Sequence, residues 1–392
     1  MKICILTPRF PLPESGGDLL RINNIARHLK SMGHNIILVS YTSNEQTPSF
    51  SQASEIYDKI YTTKRYRIKS ALYSALFLLK GAPIQCGYYY SRTYLRLFRR
   101  VIKEETPDLY ISHLIRMVPF IEKAHVREKT IVEMTDALSI TYSLVKNAKG
   151  SPLKRFMYHI ERHFIGRFEQ SVARNYPKVV LVSQSDKDYL AAKLSKHRLA
   201  LHTNGVNYAK VPRTTYDENK ICFIGNMVSL QNQDAAIYFA EEIFPIILRS
   251  RPLAKFYIVG NNPPKSILNL GNRRHIIVTG YIEDIESFIS DSCIAVAPIR
   301  IAAGIQNKIL LAMANKLPVV MTSLVTAPIK ELKNGENCLI ADDAESFANS
   351  CLRLLNEPKL HNDISQKGYE MVKDHYSWES KLAGYEELHN LT

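Results

Sequence analysis

No apolar run in this 392-residue chain reaches the 18 or more residues needed to cross a bilayer as a helix; the longest, residues 71–79, is ended by Lys80 and Pro83. At the N-terminus only residues 3–6 are apolar before Pro8, too few for the core of a secretory signal, so export is not expected. The loop after the first strand-like run, residues 8–17, has no Gly-x-Gly-x-x-Gly, and no acidic ribose ligand accompanies it, which excludes a dinucleotide-dependent dehydrogenase. The six cysteines form no CxxC pair and no metal-ligand rhythm, and Cys4, Cys222 and Cys293 lie inside apolar runs. They read as reduced core thiols of a cytosolic protein, not as a disulfide or zinc framework. Repeats of 20 to 50 residues and low-complexity segments are also missing, so the chain is neither a solenoid nor disordered.

What is present is a globular composition, 46% hydrophobic and 22% charged, at a length that suits two or three domains. Charge is unevenly placed. Residues 1–205 hold 32 basic and 16 acidic side chains (32 − 16 = +16), whereas residues 206–392 hold 19 and 21 (19 − 21 = −2), together the net +14. The first half therefore expects an anionic partner. Short apolar runs alternate with helical patterns along the whole chain, the rhythm of βαβ units and parallel sheets. Residues 2–7 read as a buried strand, and Leu19, Ile22, Ala26, Leu29 and Met32 recur at helical spacing until Gly33 stops the helix. A second series starts after the turn dipeptide Asn204-Gly205, with strands expected at 221–224, 256–259, 276–278, 294–298, 319–322 and 338–340. The expected fold is α/β: two Rossmann-like, doubly wound domains, 1–205 and 206–375, facing a cleft, with a last helix at 376–392 packing back toward the first domain.

Several segments carry a resemblance in one register. Pro11-Leu12-Pro13-Glu14-Ser15-Gly16-Gly17 with Arg21 resembles the N-terminal glycine loop of family 4 glycosyltransferases. Asn204-Gly205-Val206-Asn207 is similar to their hinge. Phe223-Ile224-Gly225-Asn226, Ile258-Val259-Gly260, the Gly280–Asp284 segment, the Gly304–Ala314 segment, Lys316–Val320 and Asn334–Ile340 follow in the family's order. The likeness covers nearly the whole chain and is loosest over residues 45–130.

The resemblance implies a GT-B enzyme that moves a sugar from a nucleotide-sugar donor to a glycan or lipid-linked acceptor with retention, without metal or other cofactor. It places Lys308, Gly304, Ile305 and Arg300 at the donor diphosphate, where a fixed cation and free helix N–H groups stabilise the departing charge. Gly225 and Asn226 fall on the donor side, and Tyr281 and Ile282 against the base. His113 and Asp136, each at the end of a strand-like run, are the candidate catalytic groups beside Lys308, and Gly16, Gly17 and Arg21 the acceptor side. Two departures stand out: the family's Glu-x7-Glu carboxylates are replaced by Ala303 and Leu311, so a catalytically degenerate subunit that only binds a partner is the alternative reading. Between Lys64 and Lys103 lie ten basic residues and no acidic one, interleaved with tyrosines. No nucleic-acid module surrounds them, so the expected partner is an anionic membrane surface, with the protein peripheral on its cytoplasmic face.

Overall fold

The computed structural model describes residues 1–14, 17–42, 50–144, 152–207, 215–301, 306–326 and 328–385. They form two compact units: Met1–Asn204, with 382–385 belonging to it, and Gly205–Lys381.

In the first unit seven parallel strands, β1 (Lys2–Thr7), β2 (Asn35–Thr42), β3 (Lys59–Lys64), β4 (Leu109–His113), β5 (Thr130–Thr135), β6 (Lys178–Leu181) and β7 (Leu199–Leu201), run in the order β3-β2-β1-β4-β5-β6-β7. Every residue of β4 and β5 is buried, as a parallel sheet covered on both faces demands. Strand order reverses between β1 and β4, where Leu6 pairs with Ser112. Loops leaving the carboxyl ends of these two strands diverge, and the crevice so formed is where a doubly wound sheet takes its ligand. One register step along, His113 pairs with Glu133 of β5, so the sheet itself brings a histidine and a carboxylate together.

The second unit repeats the plan with β8 (Asp217–Ile224), β9 (Lys255–Val259), β10 (Ile276–Gly280), β11 (Ser292–Ala297), β12 (Val319–Met321) and β13 (Leu339–Ile340), ordered β10-β9-β8-β11-β12-β13. Its reversal lies between β8 and β11, and each unit closes its own apolar core with no shared member. All six cysteines are buried and none is in a disulfide.

The described part of residues 45–130, where periodicity is weakest, contains the helices Phe50–Ile56, Arg67–Leu79, Ile84–Tyr89, Arg92–Glu105 and Val118–Ala124. Helix Arg67–Leu79 buries only Ser70, which is why its pattern follows no core-facing stripe. The C-terminal boundary also differs from the expectation. A single helix, Pro358–Tyr376, runs through residue 375, Ser377 leaves it in extended geometry, and the short helix Trp378–Leu382 follows. The chain is held there because Val206 N donates to Tyr376 O at 2.8 Å. Among the described residues no helix is long and apolar enough to cross a membrane.

Candidate active site

In the first unit the crevice beyond β1 and β4 is a pocket of about 390 Å³ whose polar lining comes from Arg9, Asp18, Arg116, Thr135, Asp136 and Asn204. Gly17, at its edge, begins the helix Gly17–Ser31; Gly16 lies outside the described residues. Arg9 and Asp18 pair at 2.6 Å. Arg116 is aimed by two contacts: its Nε donates to Gln85 Oε1 at 2.8 Å, and its guanidinium lies 5.3 Å from the Tyr89 ring centre. Asp136 follows β5 and is exposed to this pocket; desolvation by the pocket walls raises its carboxyl above the ordinary value, against the pull of Arg21. Asp186 is lifted further, to about 6, by burial and by the charge of Asp136.

His113 ends β4 and is fully buried, and among the described residues neither ring nitrogen has a hydrogen-bond partner. Burial, opposed by Asp18 and reinforced by Arg21, Arg9 and Arg116, drops its pKa to about 3. The imidazole is therefore neutral at physiological pH, able to donate from one nitrogen and accept at the other. Leu114, the next residue, lines the pocket, whereas His113 itself does not.

Arg21 departs from its expected acceptor-side role. Its side chain is fully buried; Nε donates to Glu133 Oε2 at 2.8 Å and Nη1 to Asn204 Oδ1 at 3.1 Å. The cause is the β5 strand, which carries Glu133 into the interior, where an unpaired carboxylate would be costly and a cation is required beside it.

In the second unit Gly225 and Asn226 leave β8 and Gly260 leaves β9. A Cβ on Gly260 would stand 1.7 Å from Gly225 O, so these two loop starts pack at a distance only glycine allows. Asn232 fastens this corner. Its Nδ2 donates to Asn226 O at 2.8 Å, and its Oδ1 accepts from Lys308 Nζ. Lys308 sits in the first turn of the helix Asn307–Ala314, 4.8 Å from the Phe223 ring centre, and burial lowers its ammonium pKa to about 8. An amide partner leaves the cation without a counter-charge, a suitable state for meeting an anion. Gly304 and Ile305, like Ala303, lie outside the described residues.

Two donor-side expectations meet competing bonds. The Asn226 Oδ1 accepts from Val228 N at 3.1 Å and closes a local turn. Arg300 donates twice to Asp234, at 3.1 and 2.8 Å, and lies 4.1 Å from the Tyr238 ring centre, so its charge is already answered by a carboxylate. Tyr281 follows Gly280, which adopts a φ of +69°, and is exposed, whereas Ile282 is half-buried. Leu311 packs against the core of its unit, which explains why no carboxylate stands there. Asp18, Glu133, Asp186 and Asn232 escape sequence reading. Asn232 in particular looks like any polar residue of an amphipathic helix, and only the fold brings it to Lys308.

Residues 218–357 match the family described as Glycosyl transferases group 1. A Klebsiella pneumoniae protein, described as an uncharacterized 44.6 kDa protein in the cps region, is 22% identical over 387 residues, 96% of each chain. Among solved structures, TarM superposes with a TM-score of 0.69 at 13% identity, over 99% of this chain and 98% of that one. Anabaena HepE, solved in complex with UDP, gives 0.65 at 12% identity over the whole of both chains. WaaG, a glycosyltransferase involved in lipopolysaccharide biosynthesis, gives 0.64 at 12% over 100% and 99%.

Proposed function

We propose that this chain, which has the GT-B fold and carries a group 1 glycosyltransferase domain at residues 218–357, transfers a sugar from a nucleotide-sugar to a glycan or lipid-linked acceptor of a bacterial envelope polysaccharide. The transfer proceeds with retention at the anomeric carbon and needs no metal. The observation that carries this reading is the corner made by Gly225, Asn232 and Lys308: a half-buried ammonium held by an amide, at the start of a helix and at the strand-order reversal of a nucleotide-binding type of sheet. As the glycosidic bond breaks, the leaving nucleoside diphosphate gains negative charge. Lys308 and the unpaired N–H groups of helix Asn307–Ala314 stabilise that charge where it develops. Uridine diphosphate is the first nucleotide to test, since HepE is seen with it.

In the first unit, the neutral His113 bonds a sugar hydroxyl, and Asp136 orients the attacking acceptor hydroxyl. The protein works on the cytoplasmic face of the membrane, with the basic stretch 64–103 toward anionic lipid. A second reading, a binding subunit without turnover, is favoured by two observations: the half-buried Leu311 packs against the core of its unit where a carboxylate would contact a donor, and Arg300 is paired with Asp234.

Calorimetric titration with uridine, guanosine, adenosine and thymidine diphosphates tests the donor side. One of them should bind, and Lys308→Ala should weaken it by about 1.5 to 3 kcal/mol, the range for a charge-assisted hydrogen bond. Affinity that is the same in the variant removes Lys308 from the site. Nucleotide binding without sugar release from the matching donor selects the subunit reading.

A further inference from the structure

The crevice beyond β1 and β4 is lined by one charge pair and by two charges that are not paired. Arg9 donates to both oxygens of Asp18, at 2.6 and 2.8 Å, and so is answered within the protein. Arg116 and Asp136 line the same pocket without forming an ion pair, and among the described residues neither has another ion-pair partner. Arg116 is half-buried. Its Nε donates to a neutral oxygen, Gln85 Oε1, and its guanidinium lies 5.3 Å from the Tyr89 ring centre. Its terminal N–H groups make no hydrogen bond to a described residue.

The amide that aims Arg116 is itself fastened from two helices. Gln85 Nε2 donates to Tyr142 Oη at 3.2 Å, and Gln85 N donates to Glu161 Oε1 at 3.1 Å. A guanidinium of fixed direction with its fork uncommitted is matched to an oxyanion, which accepts two parallel N–H bonds. A neutral hydroxyl in that place would leave a partly desolvated cation without a counter-charge. Asp136 has the opposite requirement, since a carboxylate accepts from a hydroxyl and repels a second anion. Both groups line one pocket of about 390 Å³, the size of a small-molecule site. A ligand that satisfies the two together carries its hydroxyl and its anion on one sugar or on adjacent ones.

We propose that the acceptor is an acidic saccharide: Arg116 grips a carboxylate or phosphate on the accepting sugar or its neighbour while Asp136 faces the attacking hydroxyl. The inference rests on the transferase reading above, for which it names the class of acceptor. It makes Arg116 a specificity-determining residue and Gln85 the residue that positions it.

Ligand-observed NMR on the full chain, titrated with methyl α-D-glucuronide, with glucose 6-phosphate and with the neutral methyl α-D-glucoside, tests it. At least one acidic sugar should bind about tenfold or more tighter than the neutral one, the discrimination expected of charge-assisted hydrogen bonds. The tighter of the two acidic sugars tells carboxylate from phosphate. Arg116→Gln should bring that sugar down to the affinity of the neutral one, and Lys308→Ala, in the other unit, should leave it unchanged. Arg127→Gln removes the same charge just before the amino end of β5 and should cost less than about twofold, because solvent and salt screen it. Equal affinity for acidic and neutral sugars, or no binding of either acidic one, overturns the proposal. So does a loss in Lys308→Ala, which puts the anion at the donor corner, or an equal loss in Arg116→Gln and Arg127→Gln, which leaves generic charge attraction. Unchanged thermal unfolding certifies the fold of each variant. Should Arg116→Gln fail to fold, Arg116→Lys keeps the charge without the fork and should weaken binding several-fold; parent affinity in that variant overturns the bidentate grip. Nucleoside diphosphate titration is a separate readout: nucleotide bound with no preference for acidic sugars fails this inference alone, and no nucleotide bound fails the transferase reading.

Discussion

At neutral pH His113 carries no charge, because burial has moved its ionisation to about 3 from the 6.5 of an exposed imidazole. Its folded pKa lies below its unfolded one, so the unfolded chain binds the extra proton first. The stability this residue contributes is complete above about pH 6.5 and is lost as pH falls toward 3. A neutral imidazole with two unpartnered nitrogens is suited to fixing a sugar ring by hydrogen bonds and poorly suited to carrying a proton away. His113→Ala should lower turnover more than tenfold with nucleoside diphosphate affinity unchanged, and the parent should show no histidine-like step in kcat between pH 5 and 8. Wild-type turnover in the variant would make the residue structural. The histidine was readable as a strand-end residue in a family context. Its neutrality was not, since it arises from residues 9, 21 and 116 and from the sheet above it.

Elements of the first unit are joined by buried polar contacts as well as by apolar packing. Helix Pro152–Asn175 carries Glu169, which is fully buried and accepts from Ser139 N at 3.2 Å, satisfying a free N–H at the start of helix Leu138–Leu144. Its other oxygen has no partner, and burial raises the carboxyl to about 7. For an acid whose folded pKa is raised, the contribution to stability is fully present below the unfolded value, near 4.5, and is lost as pH rises through 7. Glu169→Gln keeps the acceptor and removes the titration. Its unfolding free energy, followed by urea denaturation, should decline less steeply between pH 4.5 and 7 than that of the parent, the remaining slope coming from groups such as Asp186. A parallel decline would show that another group sets the slope. The helices themselves were legible where a stripe faces a core, as in Gly17–Ser31, and illegible in Arg67–Leu79, whose outward leucines answer to no neighbour.

The two units each own a core, one drawn from residues 4–199 and the other from 206–376. Such a chain should unfold in two calorimetric transitions. A nucleoside diphosphate bound at Lys308 should raise only the transition of the second unit, by about 2.7 kcal/mol at a hundred times Kd. One transition, or a shift in both, would show that the units unfold together. The charge asymmetry belongs to this scale too: the first half carries +16 and the second −2.

Alternation of apolar runs with helical patterns determined the two parallel sheets, since burial on both faces leaves no other residue choice for β1, β4, β8 and β11. The glycine at 260 was likewise written in the sequence, because a Cβ there would stand 1.7 Å from Gly225 O. Pairing was decided by the tertiary structure alone. Arg21 turned from a ligand group into the partner of Glu133, Arg300 into that of Asp234, and Asn232 became the anchor of Lys308. A buried charge takes whichever opposite charge or dipole the fold delivers, and that delivery joins residues 66 to 112 positions apart, beyond any local pattern.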